Sequence, residues 1–131
     1  MRVFEPLDPE TEGIAKAIVD SAFKVHRTLG PGLLESGYEL CLAHELRRRG
    51  VQLEAQVKLP IVYEGLTIDA GLRLDLIVER RIIVEVKAVE KMHPVFDAQL
   101  LTYIKLTRLR LGLLINFNVP LIRDGIKRIL L

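Results

Sequence analysis

The sequence predicts an α/β fold, a mixed β-sheet flanked by helices, and three observations point to it. Apolar residues recur first at helical spacing, then at strand spacing, then at helical spacing again. Gly30-Pro31-Gly32, Gly50 and Glu64-Gly65 stand where the period changes or the chain must turn. The run Ile82-Ile83-Val84-Glu85-Val86-Lys87-Ala88-Val89 is nearly continuous in its apolarity, as in a strand covered on both faces. The resulting order, α-α-β-β-β-α-β-β, implies a mixed sheet with helices packed on it.

Each element has its own signal. A chain of 131 residues fits a single domain, with residues 1–9, including Pro6 and Pro9, as an irregular N-terminal arm. From Glu10 to Leu29, Ile14, Ile18, Ala22, Val25 and Leu29 recur at helical spacing, and Gly30-Pro31-Gly32 ends the helix. A second helix is expected from about Leu34 to Arg49, stopped by Gly50. Val51–Val62 and Leu66–Val78 are aliphatic and β-branched, with Glu64-Gly65 as their turn, and Arg81–Val89 is the third strand. Pro94 opens a helix to about Thr107. Arg110–Phe117 and Leu121–Leu131 are the last two strands.

Composition narrows the function. Half the residues are hydrophobic, so a core forms without covalent staples. One cysteine, Cys41, excludes an internal disulfide and any cysteine-based zinc cluster; its apolar neighbours make it a small buried hydrophobe. No run reaches the roughly 18 apolar residues of a membrane span, and the start has no signal-peptide pattern, so a cytoplasmic protein is expected. Net charge is +2, yet residues 91–131 carry seven Lys and Arg (Lys91, Lys105, Arg108, Arg110, Arg123, Lys127, Arg128) against Asp97 and Asp124. That surplus reads either as a solvated surface or as a phosphate-facing flank. With no Trp, three Tyr and four Phe, any nucleic-acid contact should be mainly to the backbone. Ser21 and Ser36, the only serines, lie outside any nucleophile elbow, and the glycines form no phosphate-binding loop.

Glu85 and Lys87 break the apolar pattern. Two apart in a strand, they share a face. A carboxylate there is costly to bury unless it is paired, protonated or on a metal. An ion pair in an edge strand is the plain alternative, but the apolarity of the strand argues against an edge. If the loop Glu79-Arg80-Arg81 is centred on Arg80, paired residues sum to 160 and Asp75 falls opposite Glu85. Like charges opposed across a sheet repel, and a divalent cation between them turns repulsion into a binding site. Two carboxylates suit a hard ion such as Mg²⁺.

These residues resemble a known signature. Asp75, nine residues, then Glu85-Val86-Lys87 is similar to the D…ExK motif of the PD-(D/E)xK nuclease superfamily, with Leu74 where a proline often stands. Gly32-Leu33-Leu34-Glu35-Ser36-Gly37-Tyr38 reads G-x-x-E-x-x-Y, and the chain resembles the GxxExxY family of that superfamily. Gln99-Leu100-Leu101-Thr102-Tyr103 looks like the Q-x₃-Y motif of its exonuclease branch. The resemblance extends through Gly112–Phe117 and Gly125–Arg128, covering roughly residues 12 to 131.

The resemblance implies a restriction-endonuclease-like core and Mg²⁺- or Mn²⁺-dependent hydrolysis of a phosphodiester, with DNA as the expected substrate. It implies Asp75 and Glu85 as metal ligands, with the Val86 carbonyl available as a third and Glu35 acting directly or through water. Lys87 would orient or help deprotonate the attacking water, and Gln99 and Tyr103 would orient water, Lys87 or a phosphate. Glu35 alone reads equally as a helix N-terminal charge, and Gln99 and Tyr103 as ordinary packing. His26 reads as structural, His44 and His93 as surface. The rival function is a catalytically silent nuclease-fold module that binds nucleic acid or a partner protein. The apolar tail Ile129-Leu130-Leu131 adds a homodimer as an expectation, with Lys127 and Arg128 as edge protection the alternative.

Overall fold

The computed structural model describes residues 5–131 and shows the α/β architecture that the sequence pattern predicts. Helices α1 (Pro9–Leu29) and α2 (Glu35–Arg48) lead into strands β1 (Leu53–Tyr63), β2 (Leu66–Val78) and β3 (Ile82–Lys87). Helix α3 (Pro94–Thr107), strand β4 (Leu111–Asn116), a single 3-10 turn (Ile122–Gly125) and strand β5 (Ile126–Leu130) follow. The five strands lie in sequence order in one sheet, antiparallel except for the β3–β4 pair. This is the mixed sheet of a restriction-endonuclease-like core.

Two cores fill the space on either side of the sheet. Ile18, Ala22 and Val25 of α1 and Leu42 and Leu46 of α2 pack on Leu76, Val78, Val84, Val86, Leu113 and Ile115. On the other side, Leu100 and Ile104 of α3 pack on Leu74, Ile83 and Leu114. β3 is therefore interior and covered on both faces, so Glu85 does not lie on an edge.

Differences from the sequence reading concern element ends. Pro9 is not part of the arm but opens α1, because Asp8 caps the helix through the Thr11 amide and proline is tolerated in a first turn. Residues 1–4 of the predicted arm lie outside the described residues. β3 stops at Lys87 instead of Val89. There the Phe117 amide donates to the Lys87 carbonyl (2.9 Å), and the Asn116 side chain takes over Val89, accepting from its N–H (3.1 Å) and donating to its carbonyl (3.0 Å). The stretch from Leu121 is a 3-10 turn before it becomes β5. Gly125 is required in that turn, because a Cβ would run into the Asn116 carbonyl oxygen. Cys41 is half-buried at the margin of the α1–α2 core, less enclosed than its neighbours suggest. β5 is an edge strand, and its Lys127 and Arg128 are paired with Asp97 and Glu12. Among the described residues no helix is long and apolar enough to cross a membrane.

Candidate metal centre

The β2–β3 hairpin carries the register that the sequence suggests. Leu76 pairs with Val84, Ile77 with Ile83 and Val78 with Ile82, each pair summing to 160. Continuing that register puts Asp75 opposite Glu85, and the ladder ends just before them. Here each carboxylate takes the place of a lost backbone partner. Glu85 Oε2 accepts from the Asp75 amide and Asp75 Oδ2 from the Val86 amide, both at 2.8 Å. The two acids thus reach across to each other's strand where the strands part.

A second irregularity coincides with this one. Leu76 and Val78 belong to the α1–α2 core but Leu74 to the α3 core, so β2 changes face around Asp75. On the neighbouring strand the ladder pairs Ala55 with Leu76 and Val57 with Leu74 but skips Gln56. Gln56 has φ 52, a left-handed conformation that is rare for a residue with a side chain. Its amide nitrogen donates to both carboxylate oxygens of Glu39, at 2.7 and 2.9 Å.

Helix α2 brings two more carboxyl groups. Glu35 opens the helix and Glu39 lies one turn later on the same face. Glu35, Glu39 and Asp75 line one cleft together with Leu34, Ser36 and Gln56. Tyr38 explains why α2 starts where it does. Its hydroxyl donates to the Gly30 carbonyl (2.5 Å) and accepts from the Leu33 amide (3.1 Å), clamping the turn before Glu35. The fully buried ring stacks on Phe117, centroids 4.6 Å apart, and so ties that turn to the end of β4. Tyr38 holds the geometry and does not face the cleft.

On the α3 side, Lys87 lies half-buried with Nζ 4.5 Å from the centre of the Phe96 ring, a cation–π seat. Tyr103 is half-buried; burial raises its hydroxyl pKa, and the charges of Glu85 and Asp75 push the same way. Gln99 is exposed and makes no hydrogen bond to Asp75, Glu85 or Lys87 among the described residues. The Val86 side chain belongs to the α1–α2 core, and only its backbone joins the site. His26 is structural as expected: it is buried, its Nε2 2.7 Å from the Val119 carbonyl oxygen. His44 is exposed, and exposed His93 caps α3 through the Val95 amide.

The electrostatics follow from crowding. Burial, then the charge of Asp75, pushes the Glu85 carboxyl up to about 8. Burial and Asp75 push Glu39 up to about 7, against the lowering effect of the Gln56 hydrogen bonds. Burial also raises Glu35, which Lys87 opposes. The donor set is all hard oxygen, which fits Mg²⁺ or Mn²⁺. Among the described residues no three His, Cys, Asp or Glu side chains form a ready-made cage.

Sequence reasoning missed Glu39, Gln56, Phe96 and Asn116. Glu39 had a signal, its four-residue spacing from Glu35; Gln56 had none, because only its backbone conformation turns it toward α2. The basic surplus after residue 90 does not form one flank beside the site. Arg108 and Arg110 line a pocket with Arg80 and Arg81 at the start of β3 and β4, the end away from Lys87.

Comparison with known proteins gives one match: the family model described as PD-(D/E)XK nuclease superfamily covers residues 12–129. No curated protein and no solved structure matches.

Proposed function

The chain belongs to the PD-(D/E)XK nuclease superfamily, and from that premise we propose that it is a divalent-cation-dependent deoxyribonuclease of the GxxExxY type. The observation that carries the reading is the pairing of Asp75 with Glu85 where β2 and β3 part, with Lys87 two residues further along the same face. Two adjacent acids, a third from α2 and a lysine suit hydrolysis of a phosphodiester better than they suit packing. The subfamily assignment rests on the work done by its motif residues: Gly32 permits the turn at φ 104, Glu35 reaches the cleft and Tyr38 clamps the turn.

In this reading Asp75 and Glu85 hold the cation, with the Val86 carbonyl and Glu35 as further oxygen donors. Mg²⁺ or Mn²⁺ held there supplies a Lewis acid for a phosphoryl oxygen. Lys87 orients the attacking water and offsets negative charge as it grows on the phosphate, and its seat on Phe96 limits its wandering. Tyr103, one turn beyond Gln99 on α3, offers a hydroxyl to Lys87 or to a phosphate oxygen. Few aromatic side chains are free to stack on bases, so binding rests on phosphates and depends on salt.

A cleavage assay on linear, circular and single-stranded DNA with Mg²⁺, Mn²⁺ or EDTA tests this. Cleavage with either ion and none with EDTA is expected. Binding of DNA without cleavage under any of these conditions would make the chain a silent nuclease-fold module instead.

A further inference from the structure

We propose that Gln56 and Glu39 form a positioning pair that holds Asp75 in place for the cation, an inference that rests on the function proposed above. Glu39 is only 9% exposed, and it lines the same cleft as Asp75. Such a group needs a fixed partner, and Gln56 supplies one through two hydrogen bonds of 2.7 and 2.9 Å. The backbone bends to allow it. Gln56 sits at φ 52 inside a strand, where the β1–β2 ladder skips it between the Ala55–Leu76 and Val57–Leu74 pairs, and that place faces Asp75. Unfavourable backbone conformations persist where surrounding structure fixes them, and they concentrate at functional sites.

A purely structural role would require only that the Glu39 oxygens be satisfied. The arrangement does more, because the satisfied carboxylate is fixed in the cleft beside the acid that the ladder has released. A fixed carboxyl neighbour restricts the orientations open to Asp75, which favours a cation on Asp75 and Glu85, as outer-shell partners commonly do. Gln56 and Glu39 therefore act through Asp75 and not on the reacting atoms.

The test is titration of the full chain with Mn²⁺, followed by the electron paramagnetic resonance of the free ion. Gln56→Gly is the informative variant, since glycine adopts φ 52 without strain while the side chain and its amide are lost. Its Mn²⁺ Kd should rise about tenfold, and that of Glu39→Gln at least as much. A thermal melt in EDTA should show Gln56→Gly still fully folded at the titration temperature, with any drop in midpoint unchanged by Mn²⁺, which separates lost positioning from lost stability. A Kd within twofold of wild type in either variant would overturn the proposal. Failure of the wild type to bind Mn²⁺ would instead overturn the function on which it rests.

Discussion

At the N-terminal end of β3, Arg81 meets Asp8 at 3.2 Å and Glu10 at 2.9 Å, and Arg80 lies 3.7 Å from Glu54. At the C-terminal end of the same strand, Glu35, Glu39, Asp75 and Glu85 crowd together with Lys87 as the cation among them. The first end pairs Arg80 and Arg81 with carboxylates of the chain, and its strand ladder is regular up to the turn. The second end leaves negative charge unbalanced and releases the ladder at Asp75 and Glu85 so that their side chains meet. A chain optimised for stability alone would treat both ends as it treats the first. The difference supports the proposal that the C-terminal end is shaped for a ligand, and the sign of the imbalance suits a cation.

The largest effect should come from Lys87, the positive group among these acids. Lys87→Ala removes the ammonium proposed to orient the attacking water but neither of the proposed ligands. Cleavage should fall by about 10²–10⁴, the range for loss of a positioned proton-transfer group, while the Mn²⁺ Kd stays near that of wild type. Cleavage at the wild-type rate would reduce Lys87 to a charge balancer. A large loss of Mn²⁺ affinity would mean that it organises the ligands.

That lysine and its carboxylate partners were legible in the sequence because they violate a pattern. Glu85 and Lys87 interrupt a run of apolar residues, and a hairpin with a three-residue loop fixes the position of Asp75 by register alone. Element order was legible for the same reason, since Gly30-Pro31-Gly32, Glu64-Gly65 and Pro94 leave little freedom about where the period changes. Gln56 was not legible. A glutamine in a strand looks like any solvent-facing residue, and nothing local announces a left-handed backbone. The early end of β3 was hidden as well, because it depends on the Asn116 side chain replacing backbone pairing across 27 residues of sequence. Nor could charge counting show that the basic residues after 90 disperse to both ends of the sheet. Position in three dimensions decides that, and net charge does not carry it.

A smaller effect concerns stability against pH. The folded-state pKa of Glu85, about 8, lies above its ordinary 4.5, and that of Glu39 is about 7. Between these limits the folded protein binds more protons than the unfolded chain, so stability must fall as pH rises. Without divalent ions the melting temperature should decline from about pH 4.5 to about pH 8, the window set by these shifts. A cation takes up the ionised form, so millimolar Mg²⁺ should restore stability at the upper pH and do little at the lower. Equal stabilisation by Mg²⁺ at both would show that it binds elsewhere than at these acids.

The smallest effect compares the two ends directly, by removing one charge from each. Glu85→Gln keeps an oxygen that can accept from the Asp75 amide but relieves the repulsion between the two acids. At pH 8 in EDTA it should melt about 5 °C above wild type, since one unfavourable buried charge is gone, and the pH slope should flatten. Such a gain in stability with loss of function is the usual mark of a site built against the fold. Arg81→Met should act in the opposite direction but weakly, lowering the midpoint by about 2 °C or less, because Asp8 and Glu10 are exposed and solvent screens the ion pairs. The signs matter more than the sizes. If removing Glu85 destabilises the protein as removing Arg81 does, the two ends are electrostatically alike. The crowding at Asp75 would then be relieved by something within the chain, and the case for a cation would lose its physical basis.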